Sequence, residues 1–318
     1  MTSPLAATSL TATSLTTTEQ LRIGTAPDSW GVWFPNDPGQ IPWERFLDEV
    51  QAAGYHWLEL GPFGYLPTDP AQLQDELAKR DLKLSAGTVF TGFHKGDDQW
   101  KRAWDQALDV AGLVSQLGAE HLVVIPDLWR SDATAEVLES RTLDTEQWAK
   151  LAAGHDKLGK ALLEEFGINQ QFHSHADSHV GTYREVERFL AETNAQFTNL
   201  CLDTGHFAYY LGDNLKLIEA HPDRIGYLHL KQVEPHILAE ALKNDMPFVE
   251  AVARGVMCEP PLGVPELGPI IEAVSRINPE IFAIVEQDMY GCEIDNGLPI
   301  ATRTREHIVG CTRAARIR

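Results

Sequence analysis

The sequence predicts an α/β fold, a (β/α)8 or TIM barrel, from three observations. Short apolar runs alternate with longer amphipathic runs from Leu21 onward, and strands that alternate with helices imply a parallel sheet. Eight such strand–helix units follow one another without a break in composition, and 318 residues is a usual length for a single-domain barrel. Eight units favour the closed barrel over a doubly wound open sheet, which is the alternative.

The eight strands are placed on the short apolar runs, in chain order. They cover residues 21–27, 57–60, 82–89, 121–126, 168–175, 198–206, 225–233 and 281–288. The helices are placed on the amphipathic runs, at residues 42–53, 70–80, 99–117, 144–166, 182–193, 213–221, 266–276 and 300–314. Two helices have start signals, because Asp69 stands ahead of Pro70 and Asp144 precedes a long amphipathic run.

Two segments lie outside this regular pattern. Residues 234–264 form an extended insertion after the seventh strand, which we expect to act as a lid or an oligomer contact. Residues 1–20 are rich in Ser, Thr and Ala and contain no Lys or Arg, which predicts a disordered tail rather than a secretory signal. A single barrel domain is therefore expected over residues 21–318.

The composition argues against several classes of partner and cofactor. A formal charge of −20 would be repelled by nucleic-acid backbones and by anionic membrane surfaces. No apolar run approaches the ~20 residues that span a membrane. The four cysteines are scattered without a CxxC pair, which favours free thiols and a cytoplasmic location. The sequence has no GxGxxG after the first strand and no GxSxG, which disfavours nucleotide cofactors and serine hydrolysis.

Ionisable side chains end the last four predicted strands, where a buried strand should be continuously apolar. In chain order they are His173 and His175, Asp203 and His206, His229 and Lys231, and Glu286 and Asp288, with Glu59 on the second strand. Because the carboxyl ends of barrel strands meet at one mouth, these groups would remain unpaired unless a cation or a ligand satisfied them. Carboxylate and imidazole ligands without a thiolate suit Mn²⁺, Co²⁺, Mg²⁺, Fe²⁺ or Zn²⁺.

Each of these residues also has a purely structural interpretation. Asp203 could cap the following helix, and Glu286 could pair with Arg303 or Arg305. His179 lies past the end of the fifth strand and is the weakest candidate, a loop residue or at most a substrate contact.

Aromatic side chains follow the first two strands, in loops that should cover the barrel mouth. Trp30 and Phe63 are suited to the apolar faces of a sugar or cyclitol, and Asp28 and Glu59 could bind its hydroxyl groups. The alternative is that the aromatic residues pack in a lid or a dimer contact.

Six segments of the sequence carry a resemblance to a known family. They are IGTAPDSWGVW, AGYHWLELGPFGYLPTDP, CLDTGHFAYY, YLHLKQV, GVMCEPPLGVPEL and FAIVEQDMYG. The chain resembles the inosose (2-keto-myo-inositol) dehydratases of the xylose-isomerase-like superfamily, from about Arg22 to its C-terminus. The resemblance implies one divalent metal, with Mn²⁺ or Co²⁺ favoured, bound by Asp203, His229 and Glu286. His173 stands where the family has a glutamate, so either it is the fourth ligand or water and substrate complete the site.

The resemblance also implies a reaction and a homo-oligomer. A dehydratase would remove water from inosose through an enediolate, as a step of inositol catabolism. Proton transfer would fall to His175, Lys231 or His206, and a nearby cation should lower the pKa of Lys231 by like-charge repulsion.

Four other functions remain as alternatives to the dehydratase. A ketose or inosose isomerase or epimerase and a C-glycoside-cleaving enzyme would use the same metal barrel. A DNA phosphodiesterase of this fold is disfavoured by the net charge of −20. A non-catalytic sugar-binding protein would bind its ligand without a metal.

Overall fold

The computed structural model describes residues 21–315 as a closed barrel of eight parallel strands. The disordered tail expected over residues 1–20 lies outside the described residues. The barrel strands are β1 (Arg22–Thr25), β2 (Trp57–Glu59), β3 (Lys83–Thr91), β4 (His121–Pro126), β5 (Asn169–His173), β6 (Thr198–Asp203), β7 (Ile225–Leu230) and β10 (Phe282–Val285). Two short strands, β8 (Gln232–Val233) and β9 (Met257–Cys258), pair separately in an antiparallel sheet.

Helices surround the barrel and connect its strands. They are α1 (Trp43–Ala52), α2 (Pro70–Ala78), α3 (Gln99–Gln116), α4 (Thr145–Phe166), α5 (Tyr183–Glu192), α6 (Thr204–Tyr209), α7 (Asn214–Ala220), α8 (Pro235–Lys243), α9 (Phe248–Ala253), α10 (Leu267–Ile277) and α11 (Gly297–Ala315). None of these described helices is both long and apolar enough to cross a membrane.

The first and last barrel strands pair with each other, which closes the sheet. β1 runs parallel to β10 in a register that joins Arg22 to Phe282 and Thr25 to Val285. A doubly wound sheet would leave both of these edges open, so the alternative fold is excluded and the predicted (β/α)8 barrel is confirmed.

Both helix start signals read from the sequence form caps in the structure. Asp69 accepts a hydrogen bond from the Gln72 amide ahead of α2. Asp144 accepts one from the Gln147 amide, and the Gln147 side chain in turn accepts from the Asp144 amide, a complete capping box ahead of α4.

Several strands at the site end earlier than their apolar runs indicate. The sixth strand was predicted to continue to His206, but it stops at Asp203 because the Asp203 carboxylate caps a short helix, α6, that begins at the next residue. β5 ends at His173 and β7 at Leu230, so His175 and Lys231 lie just beyond their strands. His175 and Lys231, two of the functional candidates, are therefore held by loops at the mouth of the barrel.

The predicted insertion at residues 234–264 contains two helices, α8 and α9, that the sequence pattern did not indicate. They pack with α6 and with Trp33 in a small hydrophobic cluster of their own, apart from the main core. Phe248, the first residue of α9, contacts Tyr209 of α6 with ring centroids 5.4 Å apart. The insertion therefore covers one side of the barrel mouth.

Candidate metal centre

Four of the predicted ligands converge at the mouth of the barrel, each from a different strand. The cluster consists of His173, Asp203, His229 and Glu286, all of them buried, with ligand atoms within 4.8 Å of one another. Asp203 Oδ2 lies 3.4 Å from His173 Nε2 and 3.5 Å from His229 Nδ1. Tetrahedral ligands with bonds of about 2.1 Å lie about 3.4 Å apart. The spacing fits one divalent cation.

Asp203 is positioned for both of the roles considered for it from the sequence. Its Oδ1 accepts hydrogen bonds from the amides of Gly205 and His206, at 2.8 and 2.7 Å, and so caps α6. Its Oδ2 is buried and accepts no hydrogen bond among the described residues, although Lys231 Nζ lies 3.3 Å away. This leaves room for a further positive charge between Oδ2 and the two imidazoles, so the donor set fits a metal ion.

His229 is oriented by a second carboxylate behind it. Its Nε2 lies 2.9 Å from Glu59 Oε1, and because a carboxylate only accepts, Nε2 carries the proton. Nδ1 faces the cluster and lies 2.9 Å from Glu286 Oε2, where a second ring proton or a bound cation would separate the two atoms. A histidine held by a carboxylate in this way is typical of metal ligands. The sequence assigned Glu59 to the substrate, and Glu59 both lines the cavity and contacts His229.

Lys231 lies among carboxylates at the edge of the cluster. Its Nζ is 2.8 Å from Asp288, 3.1 Å from Glu286 and 3.3 Å from Asp203. Burial alone would lower the pKa of Lys231, but these carboxylates and Asp28 outweigh burial and raise it well above the usual range. The geometry is that of an ammonium group.

The Lys231 ammonium group also affects the pKa values of the carboxylates around it. Burial raises the pKa of Glu286, but the nearby His229 and Lys231 lower it to about 2. Asp203 follows the same pattern, because Lys231 and His206 overcome the effect of burial and hold its pKa well below the usual range. Both side chains are therefore ionised, as metal ligands must be.

His206 and His175 stack on each other, with ring centroids 3.8 Å apart, but their hydrogen bonds differ. The Ala176 amide donates to His206 Nδ1, so in a neutral ring the proton of His206 is on Nε2. His175 Nδ1 lies 2.7 Å from the Ala176 carbonyl and must donate to it, which leaves Nε2 as a lone pair. Burial, together with His206 and His173, holds the pKa of His175 well below its usual range. His175 is thus a neutral acceptor, and His206 a donor.

A cavity of about 630 Å³ opens onto the cluster, and it is large enough for a sugar-sized ligand. Besides the metal-type ligands it is lined by Asp28, Phe63, Trp33, Phe34 and Phe248. Asp28 has a buried Oδ1 without a hydrogen-bond partner, and burial followed by the charge of Glu286 raises its pKa well above the usual range. Asp28 and Phe63 therefore lie where the sequence expected them to meet a substrate.

One sequence-based assignment needs correction on position, and one is borne out in part. Trp30 does not line the cavity: its indole Nε1 donates to Glu49 at 2.8 Å and its ring packs edge-on against Phe46, so it belongs to the core between β1 and α1. His179 is a loop residue as predicted, but it is buried against His94 and Glu139 and does not line the cavity.

Two residues at the cavity were given no specific role from the sequence. Asp288 was noted only as an ionisable strand-end residue, and in the structure it accepts a hydrogen bond from Lys231. Phe248 lies 5.4 Å from the His175 ring and 5.0 Å from the His206 ring. It comes from the insertion, and no local pattern in the sequence indicates that contact.

Comparison with known proteins agrees with this architecture. Residues 47–306 match the family described as the xylose isomerase-like TIM barrel. The chain belongs to this family. It is also 28% identical over 295 residues to an inosose dehydratase of Geobacillus thermodenitrificans, a match that covers 91% of this chain and 96% of that protein.

Solved structures with low sequence identity share the fold. One is the IOLI protein with a bound zinc atom, with a TM-score of 0.68 at 15% identity over 91% of this chain and 98% of that one. Another is an L-ribulose 3-epimerase, with a TM-score of 0.68 at 17% identity over 93% of this chain and 96% of that one. At such identities the likeness concerns the barrel alone.

Proposed function

We propose that this protein is an inosose dehydratase, a metal-dependent carbon–oxygen lyase of inositol catabolism. The observation that carries the proposal is one cavity holding a metal-type donor set, an ammonium group and a neutral imidazole. The similarity to an inosose dehydratase over 91% of the chain supports the same reaction. The proposed substrate is a cyclic polyhydroxy ketone, 2-keto-myo-inositol.

The proposed metal site uses His173, Asp203, His229 and Glu286, with Glu59 as the residue that positions His229. Two nitrogens and two carboxylate oxygens without a thiolate suit Mn²⁺ or Co²⁺, and Zn²⁺ is the alternative. A bound divalent cation would act as a Lewis acid on the substrate carbonyl and stabilise the negative charge that develops on its oxygen.

Two proton transfers are needed, and the structure offers a different group for each. The C–H bond next to the carbonyl breaks first, and we assign its proton to His175 Nε2, the free lone pair of a neutral imidazole. The C–O bond at the β-carbon breaks next, and Lys231 supplies the proton that lets the hydroxyl leave as water. His206 already uses its Nδ1 as an acceptor, which makes it a donor that positions its neighbours rather than the base.

The cavity walls complete the proposed substrate site. Asp28, with its unpartnered carboxyl oxygen, would bind a ring hydroxyl, and Phe63 would cover an apolar face of the ring. We also propose a homo-oligomer in the cytoplasm. All four cysteines are free, which agrees with a reducing compartment.

The test is mass spectrometry of 2-keto-myo-inositol incubated with chelator-stripped protein, with and without added Mn²⁺, Co²⁺ or Zn²⁺. A metal-dependent product lighter by one water supports the dehydratase. A metal-dependent product of unchanged mass would instead identify an isomerase or epimerase. If metal binds and the ketone is unchanged, the dehydratase is refuted, and C-glycosides are the next substrates.

Two aspartate variants separate ligation from helix capping in this assay. Asp203→Ala should abolish both stoichiometric metal binding and turnover. Asp213→Ala is the matched control, because Asp213 is also an N-cap aspartate, accepting from the Lys216 amide ahead of α7, but it is exposed and does not line the cavity. Turnover should survive in Asp213→Ala at a stability loss of about 1 kcal/mol.

A further inference from the structure

A second cluster of metal-type side chains lies outside the cavity. His94, Glu139 and His179 come from three different loops, and their ligand atoms lie within 4.8 Å of one another. His94 Nε2 is 3.1 Å from both oxygens of Glu139, and His179 Nε2 is 3.5 Å from Glu139 Oε1. The two imidazole rings are 1% exposed and 4.5 Å apart, so both nitrogens converge on one carboxylate.

The hydrogen bonds of His179 leave its inward nitrogen without a proton. Its Nδ1 lies 3.0 Å from the carbonyl oxygen of Arg141, and since a carbonyl only accepts, Nδ1 carries the hydrogen. In a neutral ring Nε2 is then a lone pair that faces a carboxylate oxygen. It is buried and has no hydrogen-bond partner among the described residues. Two acceptors facing each other in a buried place need a positive centre between them, either a second proton on the ring or a bound cation.

A lysine beside the cluster has another carboxylate to pair with. Lys95 Nζ is 3.3 Å from Glu139 Oε1, but it is closer, at 2.8 Å, to Asp127. The lysine is partly exposed and can retain the Asp127 contact if a cation takes its place beside Glu139. Glu139 is itself 22% exposed on its side chain, which leaves a route from solvent.

We propose that His94, Glu139 and His179 form a second divalent-cation site, suited to Zn²⁺, with water as the fourth ligand. Two histidines and one glutamate with an open position are an established zinc donor set, and tetrahedral ligand atoms about 3.4 Å apart match the observed 3.1 and 3.5 Å. On binding, the proton of neutral His94 moves from Nε2 to Nδ1, so no net proton is released. The proposal does not depend on the reaction at the first centre.

The position of the site suggests what a bound ion would do. His94 follows β3, Glu139 lies between β4 and α4, and His179 lies between β5 and α5. The last of these loops also carries His175 and Ala176, which line or brace the cavity. A cation at the second site would hold three loops together and fix the loop on which His175 stands.

The experiment is a zinc titration of the untagged, chelator-stripped full chain, with bound metal counted per chain by mass spectrometry after gel filtration. We expect two equivalents for the wild type, one for Asp203→Ala, one for His179→Gln, and none for the double variant. His56→Gln removes an exposed imidazole instead and should keep two. Lys95→Met removes a competing positive charge and should strengthen the second equivalent by about tenfold or more while leaving the first unchanged.

Three results would overturn the proposal. One is a single equivalent in the wild type that Asp203→Ala abolishes and His179→Gln leaves intact. Another is a second equivalent that disappears in His56→Gln, because it would then be bound at the surface. The third comes from the wild type alone and does not depend on any variant folding. A crystal of the zinc-loaded protein should show anomalous scattering between His94, Glu139 and His179, and a peak at the first centre only would refute the site.

Discussion

Replacing Glu59 with glutamine discriminates between the two roles considered for this residue. Its Oε1 accepts from His229 Nε2 at 2.9 Å, and both side chains are 2% exposed, so solvent cannot replace the contact. Glu59→Gln keeps the shape and removes the charge that fixes the His229 tautomer. Loss of such an outer partner weakens metal binding by about 10–100-fold, or about 1.4–2.7 kcal/mol.

The assay is a dissociation constant measured by competition with a chelator of known affinity, alongside KM and kcat at saturating metal. The expected result is weaker metal binding, with KM for the ketone nearly unchanged once metal saturates. Thr88→Val is the matched control, because it removes only the longer contact of Glu59, 3.5 Å from Oε2 to Thr88 Oγ1. Unchanged metal affinity together with a raised KM would refute the positioning role and return Glu59 to the substrate.

Three further predictions concern the base of the barrel mouth and the core. Lys231→Met should lower kcat by about 10²-fold or more while metal content stays at the wild-type value, and retained turnover would exclude Lys231 as the acid. Trp30→Phe should cost about 1–3 kcal/mol of stability, because buried Glu49 loses a hydrogen-bond donor, and it should leave KM unchanged. Phe63→Ala should instead raise KM, because Phe63 lines the cavity. Burial lowers the pKa of His155 to about 3. On acidification the unfolded chain therefore binds a proton at this histidine that the folded chain does not bind. Stability should therefore fall by about 1.6 kcal/mol from this residue between pH 6.5 and 5, and urea unfolding of His155→Phe at both pH values should show that much less loss.

The barrel could be predicted because its strands are buried on both faces. A parallel strand between helices and the barrel interior reads as a continuous apolar run, and eight such runs separated by amphipathic segments leave few alternatives. The strand ends were predicted less well. The run to His206 appeared continuous, but the ladder stops at Asp203, where backbone amides bond to a side chain instead of the next strand.

The side-chain directions in the loops could not be predicted from local sequence. Trp30 and Trp33 lie three residues apart after β1, yet the first enters the core and the second lines the cavity. The 3-10 turn Pro27–Trp30, ending at Gly31 with φ of 77°, sets this division, and its geometry depends on packing against Glu49 of α1. The position of Phe248 is still harder to predict, because its contacts His175 and His206 are far away in the sequence.

The candidate metal cluster was nevertheless visible in the sequence, and the structure explains why capping and ligation are not competing interpretations of Asp203. Asp203 uses one oxygen to start α6, and those two amide bonds hold the other oxygen in the cluster. His229 follows the same rule, since Glu59 holds Nε2 and thereby aims Nδ1 at Glu286. A ligand held by its second atom loses little conformational entropy when an ion binds. The local hydrogen bonds that look purely structural are therefore what makes the site ready for a cation.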